Sequence, residues 1–109
     1  MPTNPPDPTR GPTLEEIEAL PGPTLLEFGA SWRGHCRALA PGLAALLRDH
    51  PEVRHIKVED GPGLPLGRSF RVKLWPTLVF LEGGQVVEQV ARPKLAEVRE
   101  GLDAIDGGR

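Results

Sequence analysis

Apolar positions in this chain change period several times, and each change predicts an element. Thr24 to Ala30 is a nearly continuous apolar run with one carboxylate, Glu27, in its middle. That length and composition predict a strand covered on both faces. From Arg33 to His50 the residues Cys36, Leu39, Ala40, Leu43, Ala44, Leu46 and Leu47 recur at three and four, which predicts a helix with one apolar stripe. Pro41 lies inside it, removes a backbone bond and predicts a kink. Val53 to Glu59 sets Val53, His55 and Lys57 against Arg54, Ile56 and Val58, the alternation of a second strand. Asp60-Gly61-Pro62-Gly63 ends it, and Leu64 to Arg71 predicts a short helix. Leu78 to Leu81 and Val86 to Ala91 flank Glu82-Gly83-Gly84-Gln85, a glycine-bearing turn that makes them antiparallel neighbours. Leu95, Val98, Leu102 and Ile105 lie at helical spacing, and Gly107-Gly108 closes that last helix.

The N-terminal end follows a different rule. Residues 1–12 hold Pro2, Pro5, Pro6, Pro8 and Pro12 with almost no apolar content, so a disordered proline-rich leader is expected there. Thr13-Leu14-Glu15-Glu16 is a capping box that opens a helix of about two turns, and Pro21-Gly22-Pro23 stops it. The folded domain is therefore expected over 13–106, with 107–109 as a tail. The element order is helix, strand, helix, strand, short helix, hairpin, helix. That order calls for an α/β fold with a mixed sheet, parallel crossovers and an antiparallel hairpin at one edge.

Composition narrows the chemistry. The 109 residues suit one small domain. A net charge of -2 gives no general attraction to nucleic acid or an anionic membrane, so neither is an expected partner. No run of about 18 apolar residues and no signal-peptide pattern occurs, and a cytoplasmic monomer is the expectation. Cys36 is the one cysteine, so an internal disulfide is impossible and any redox cycle needs a thiol from another molecule. His35, His50 and His55 lack metal-ligand spacing, so no metal and no cofactor are expected. His50 and His55 are expected at the surface.

Trp32-Arg33-Gly34-His35-Cys36 follows the buried strand and opens the long helix. As W-x-G-H-C it resembles the active site of the thioredoxin superfamily in its disulfide-isomerase spelling, W-C-G-H-C. Three further features carry the resemblance over about residues 13–106: Pro41 in the following helix, Trp75-Pro76-Thr77 where the family has its cis-proline, and the F-x-x-G-G-x-V hairpin. The implied architecture is a thioredoxin fold. Its usual first strand has no counterpart in the leader, so about four strands are expected.

The resemblance also implies roles. Arg33 stands where the family has its nucleophilic cysteine, at a helix N-terminus that favours a thiolate and disfavours a cation. Cys36 matches the second, resolving cysteine. Glu27 resembles the buried acid behind it that relays its proton, and Lys57 the lysine that pairs with that acid. Trp32 would form a platform, His35 a proton carrier or a solvent-facing residue, and Trp75 and Pro76 the loop whose backbone pairs with an extended peptide. Arg92 falls near a family glycine that lets substrate approach. Three readings are open. The first is a degenerate site that binds polypeptide through the cis-proline groove, with Arg33, Arg37, Lys73 and Arg92 favouring acidic partners. The second is a thiol-disulfide oxidoreductase in redox homeostasis that uses Cys36 in mixed disulfides with glutathione or a thiol-bearing protein. The third is an ordinary W-C-G-H-C enzyme in which Arg33 is an isolated replacement.

Overall fold

The computed structural model describes residues 11–30, 32 and 34–106. The expectations placed on residues 1–10, on Arg33 and on the tail 107–109 lie outside the described residues.

Helix α1 (Leu14–Glu18) begins at the capping box: Glu16 N–H donates to Thr13 Oγ1 at 3.1 Å and Thr13 N–H donates to Glu16 Oε1 at 2.8 Å. It is followed by β1 (Pro23–Gly29), α2 (His35–Arg48), β2 (Arg54–Glu59), α3 (Pro65–Ser69), β3 (Thr77–Glu82), β4 (Gln85–Ala91) and α4 (Leu95–Ile105). The sheet has four strands in the order β2-β1-β3-β4. β1 pairs in parallel with β2 and antiparallel with β3, and β3 with β4 forms the hairpin. Its two-residue turn places Gly83 and Gly84 at φ of 58° and 82°, which side-chain-bearing residues adopt at a cost. This is the α/β thioredoxin fold with a four-stranded mixed sheet. Helix α2 stays continuous across Pro41, whose exposed position puts the lost backbone bond on the solvent side.

Strand parity divides the core in two. Leu25, Leu78 and Phe80 face α2 and α4 and pack with Leu39, Leu43, Leu46, Val98, Leu102 and Ile105. Leu26, Phe28, Val79 and Leu81 face the other way, against Ile17 of α1 and Leu66 of α3. Both faces of β1 are thus covered, as its apolar run predicts. Glu27 has the parity of Leu25 and points to the α2 side of the sheet, where it meets the start of the long helix.

His50 corrects an expectation. It is only 9% exposed rather than a surface residue, because it closes the end of α2 against α4. Its Nδ1 lies 3.0 Å from the Leu46 carbonyl and its Nε2 2.8 Å from Asp103 Oδ1. Both partners are acceptors, so a doubly protonated imidazolium satisfies both.

Candidate functional site

The turn from β1 into α2 sets the site. Trp32 has φ of 52° and Gly34, the residue that precedes α2, has φ of 56°, so the chain reverses within a few residues of the strand end. Gly29, at the end of β1, leaves room for two side chains. A Cβ there would stand 2.8 Å from the Trp32 ring and 3.0 Å from Cys36 Sγ, so the indole and the thiol both occupy the space a side chain would take. Cys36, in the first turn of α2, is 4% exposed. His35 beside it is exposed.

Behind the thiol lies a cavity of about 310 Å³ lined by Glu27, Trp32, Cys36, Arg37, His55 and Lys57, with Leu43 and Leu47 of α2 as part of its apolar wall. Glu27, Cys36 and Lys57 therefore border one cavity. Their pairing differs from the implied one. Glu27 and Lys57 are register partners on β1 and β2, yet the Glu27 carboxylate, whose side chain is 4% exposed, accepts a 2.7 Å bond from His55 Nε2. The Lys57 ammonium sits 4.3 Å above the centre of the Trp32 ring instead, in cation–π geometry. A buried carboxylate needs a donor, and the imidazole supplies it.

His55 is exposed, as expected, but its Nε2 is engaged with a buried acid, a partnership that a plain surface position does not imply. The signal for it was present in the alternation of β2. His55 and Lys57 share one parity, and both point to the face that carries Glu27. Which of the two reaches the acid depends on side-chain reach and on the ring available to Lys57, and alternation encodes neither.

Across a second cavity from the start of α2 is the loop before β3. Trp75-Pro76 is cis. Thr77 is buried and donates its hydroxyl to the Leu74 carbonyl at 2.6 Å. The Trp75 ring, 38% exposed, donates Nε1–H to Asp60 Oδ2 at 2.9 Å, which holds it toward the loop after β2. A shallower cavity of about 220 Å³ is lined by His35, Ala38, Leu39, Pro76, Arg92, Pro93 and Leu95. Neither Trp75 nor Thr77 is among its lining residues. Arg92 borders it from the end of β4, and its Nε–H donates to the Trp75 carbonyl at 3.2 Å. Lys73 is exposed and Arg37 lines the cavity behind the thiol, so the expected cluster of cations is spread over two sides of the site. No group of three or more His, Cys, Asp or Glu residues suited to a metal ion occurs among the described residues.

A fold of this topology, with a tryptophan in the turn that leads into a helix, a cysteine in that helix's first turn and a cis-proline loop, defines a thioredoxin-like protein. The comparisons agree. Residues 14–103 match the family described as Thioredoxin, and the chain belongs to that family. It is 33% identical over 87 residues to a Thioredoxin H-type from Ricinus communis, an alignment covering 80% of this chain and 74% of the relative. It is 41% identical over 90 residues to Protein disulfide-isomerase A2 from Mus musculus, covering 77% of this chain but only 16% of that much longer protein. Among solved structures, the reduced form of thioredoxin 2 from Pseudomonas aeruginosa PAO1 superposes with a TM-score of 0.79 at 50% identity, covering 92% of this chain and 94% of that one. Set against these relatives, this is a thioredoxin-like chain with a single cysteine.

No helix among the described residues is long and apolar enough to cross a membrane.

Proposed function

We propose that this protein binds an extended polypeptide in the groove beside Pro76 and does not turn over disulfides as a dithiol. One observation carries the reading: Cys36 is the chain's one thiol and is buried, while the cavity at the cis-proline loop is open and lined by His35, Leu39, Pro76, Arg92 and Leu95. Reduction of a disulfide by a thioredoxin-like site needs an attacking thiolate and a second thiol to resolve the mixed disulfide, and one cysteine cannot supply both. The test is a reductant-coupled assay with a disulfide-bonded protein substrate. The expected rate equals that of the reductant alone, and clear turnover above it would overturn the loss of dithiol activity.

A second reading is favoured by the wall behind Cys36. The buried Glu27–His55 pair, with Lys57 and Trp32 beside it, has no evident use in a pure binding module. In this reading the Cys36 thiol passes its proton toward the Glu27 carboxylate. The thiolate attacks one sulfur of a glutathione disulfide or protein disulfide, and the displaced thiolate leaves with the second sulfur and takes up the proton. The product is a mixed disulfide on Cys36 that a second, external thiol must resolve. A free thiol of this kind suits a reducing compartment such as the cytoplasm. Mass spectrometry after incubation with glutathione disulfide decides between the readings: an adduct on native protein supports thiol exchange, and an unmodified Cys36 leaves the binding module.

A further inference from the structure

We propose that Arg92 is a displaceable selectivity element of the groove, one that selects extended segments carrying a carboxylate. The inference rests on the polypeptide-binding reading above. Arg92 adopts φ of 47°, a left-handed conformation that favours glycine and strains a long side chain's backbone. Its main chain is fixed there, because its N–H donates to the Pro76 carbonyl at 2.7 Å. From that position its Nε–H donates to the Trp75 carbonyl at 3.2 Å. Main chain and side chain of one residue therefore bond the two successive carbonyls of the loop that borders the groove.

The side-chain bond is the replaceable one. It is long for an N–H donor, it lies at an exposed residue, and it pairs a guanidinium with a neutral carbonyl. A carboxylate is a stronger partner for the same fork, since two parallel charge-assisted bonds can form. No carboxylate among the described residues forms a salt bridge with Arg92. The acids in this part of the fold are used or turned elsewhere. Asp60 accepts from the Trp75 ring, Glu97 accepts from Lys94 N–H, and Glu88, Glu97 and Glu100 line a separate cavity between α4 and β4. The groove itself is lined by Arg92 and His35 as its polar members, with no acid.

An incoming strand with a carboxylate would draw the guanidinium off the Trp75 carbonyl, and that carbonyl would then accept an N–H of the strand. A segment without an acid has to displace Arg92 and gains nothing in return. Because side chains of an extended segment alternate, an aliphatic residue facing Leu39 and Leu95 puts the residues two positions away on the same face, next to Arg92. The partner so defined is an extended segment with an aliphatic residue and an acid at a spacing of two.

Fluorescence anisotropy with two labelled peptides tests this, one with a Glu-Ser-Leu-Ser-Glu core and one with Gln in place of each Glu. In low salt the wild-type protein should bind the acidic peptide about tenfold more tightly, and the ratio should shrink as salt screens the exposed pair. Arg92→Gln should bring the ratio near one, and Arg92→Lys, which keeps the charge but not the fork, should keep only part of it. Arg92→Gly should also lose the preference, yet bind the Gln peptide at least as well as wild type, since the carbonyl is open and the backbone strain is relieved. The Arg92 Nε–H resonance should shift on titration with the acidic peptide and not with its counterpart. A preference that survives Arg92→Gln, or two peptides bound equally by wild type, overturns the role of Arg92 while leaving groove binding in place. Binding of neither peptide overturns the groove reading and this inference with it.

Discussion

Among the described residues, two histidine–carboxylate pairs of nearly equal length occur, and they are built in opposite ways. In His55–Glu27, 2.7 Å apart, the carboxylate is the buried member, its side chain 4% exposed against 28% for the imidazole. In His50–Asp103, at 2.8 Å, the imidazole is buried at 11% and the carboxylate is 53% exposed. The difference shows which member needs the other. Glu27 has lost its water and depends on a donor from the protein, whereas Asp103 keeps its water and His50 is the group being held. The surroundings differ in the same sense. The first pair borders a cavity that contains a thiol, and the second joins two helices across a packed junction. One arrangement lines the cavity beside Cys36, and the other ties α2 to α4.

The largest expected effect comes from supplying a second thiol. Arg33→Cys should form a disulfide with Cys36 on mild oxidation and raise protein-disulfide reduction clearly above the reductant-only rate. That activity then separates the two pairs. Adding His55→Gln should lower it by roughly tenfold at neutral pH, less than the about 10²–10⁴-fold of a directly acting base, because His55 acts through Glu27. Adding Asp103→Asn should leave it unchanged. An equal response to both additions would erase the distinction. A failure of the two thiols to join would show that the turn does not hold them as a dithiol site.

The fold was legible in the sequence because its periods are clean. The apolar run of β1, the three-and-four spacing of α2 and the Gly83-Gly84 turn each specify one element, and their order leaves few topologies. Burial of Glu27 was legible too, since a carboxylate amid Leu25, Leu26 and Phe28 cannot face water in a strand covered on both sides. Its partner was not. Glu27 stands opposite Lys57 in register, but His55 reaches the acid from two residues away and the ammonium goes to the Trp32 ring. That choice is a matter of side-chain geometry between elements, which periodicity does not carry. His50 was missed for a related reason. Its burial arises where the end of α2 meets Asp103, 53 residues later, and no local pattern announces that contact.

A stability measurement sharpens the comparison from the other side. His55→Ala removes the donor and leaves Glu27 buried without a partner, which should cost about 1–3 kcal/mol in urea unfolding at pH 7. Glu27→Leu removes the buried charge altogether, and a well-packed apolar side chain in that place should be neutral or stabilising. The contrast between the two substitutions is the expected outcome. Equal destabilisation by both would mean that the carboxylate itself contributes to the fold, and that burial of Glu27 has a structural rather than a chemical explanation.

The smallest effect is a pH slope at His50. The Leu46 carbonyl, then Asp103 by hydrogen bond and charge, with Asp106 adding to the field, hold its pKa above the ordinary 6.5 against the opposing effect of burial. A histidine whose pKa rises on folding stabilises the native state when protonated. That contribution is complete below the unfolded value near 6.5 and is lost as pH climbs through the higher folded value. Asp103→Asn should lower stability at pH 5.5 by roughly 0.2–1 kcal/mol, the range for pairs with an exposed member, and by less at pH 8.5. It should flatten the slope without abolishing it, since the Leu46 carbonyl, the larger cause, remains. The check is the difference in urea midpoint between wild type and variant across that range, in which contributions common to both proteins cancel. A difference that stays constant with pH would mean that Asp103 holds a neutral imidazole, and the pair would then be a packing contact rather than a charged one.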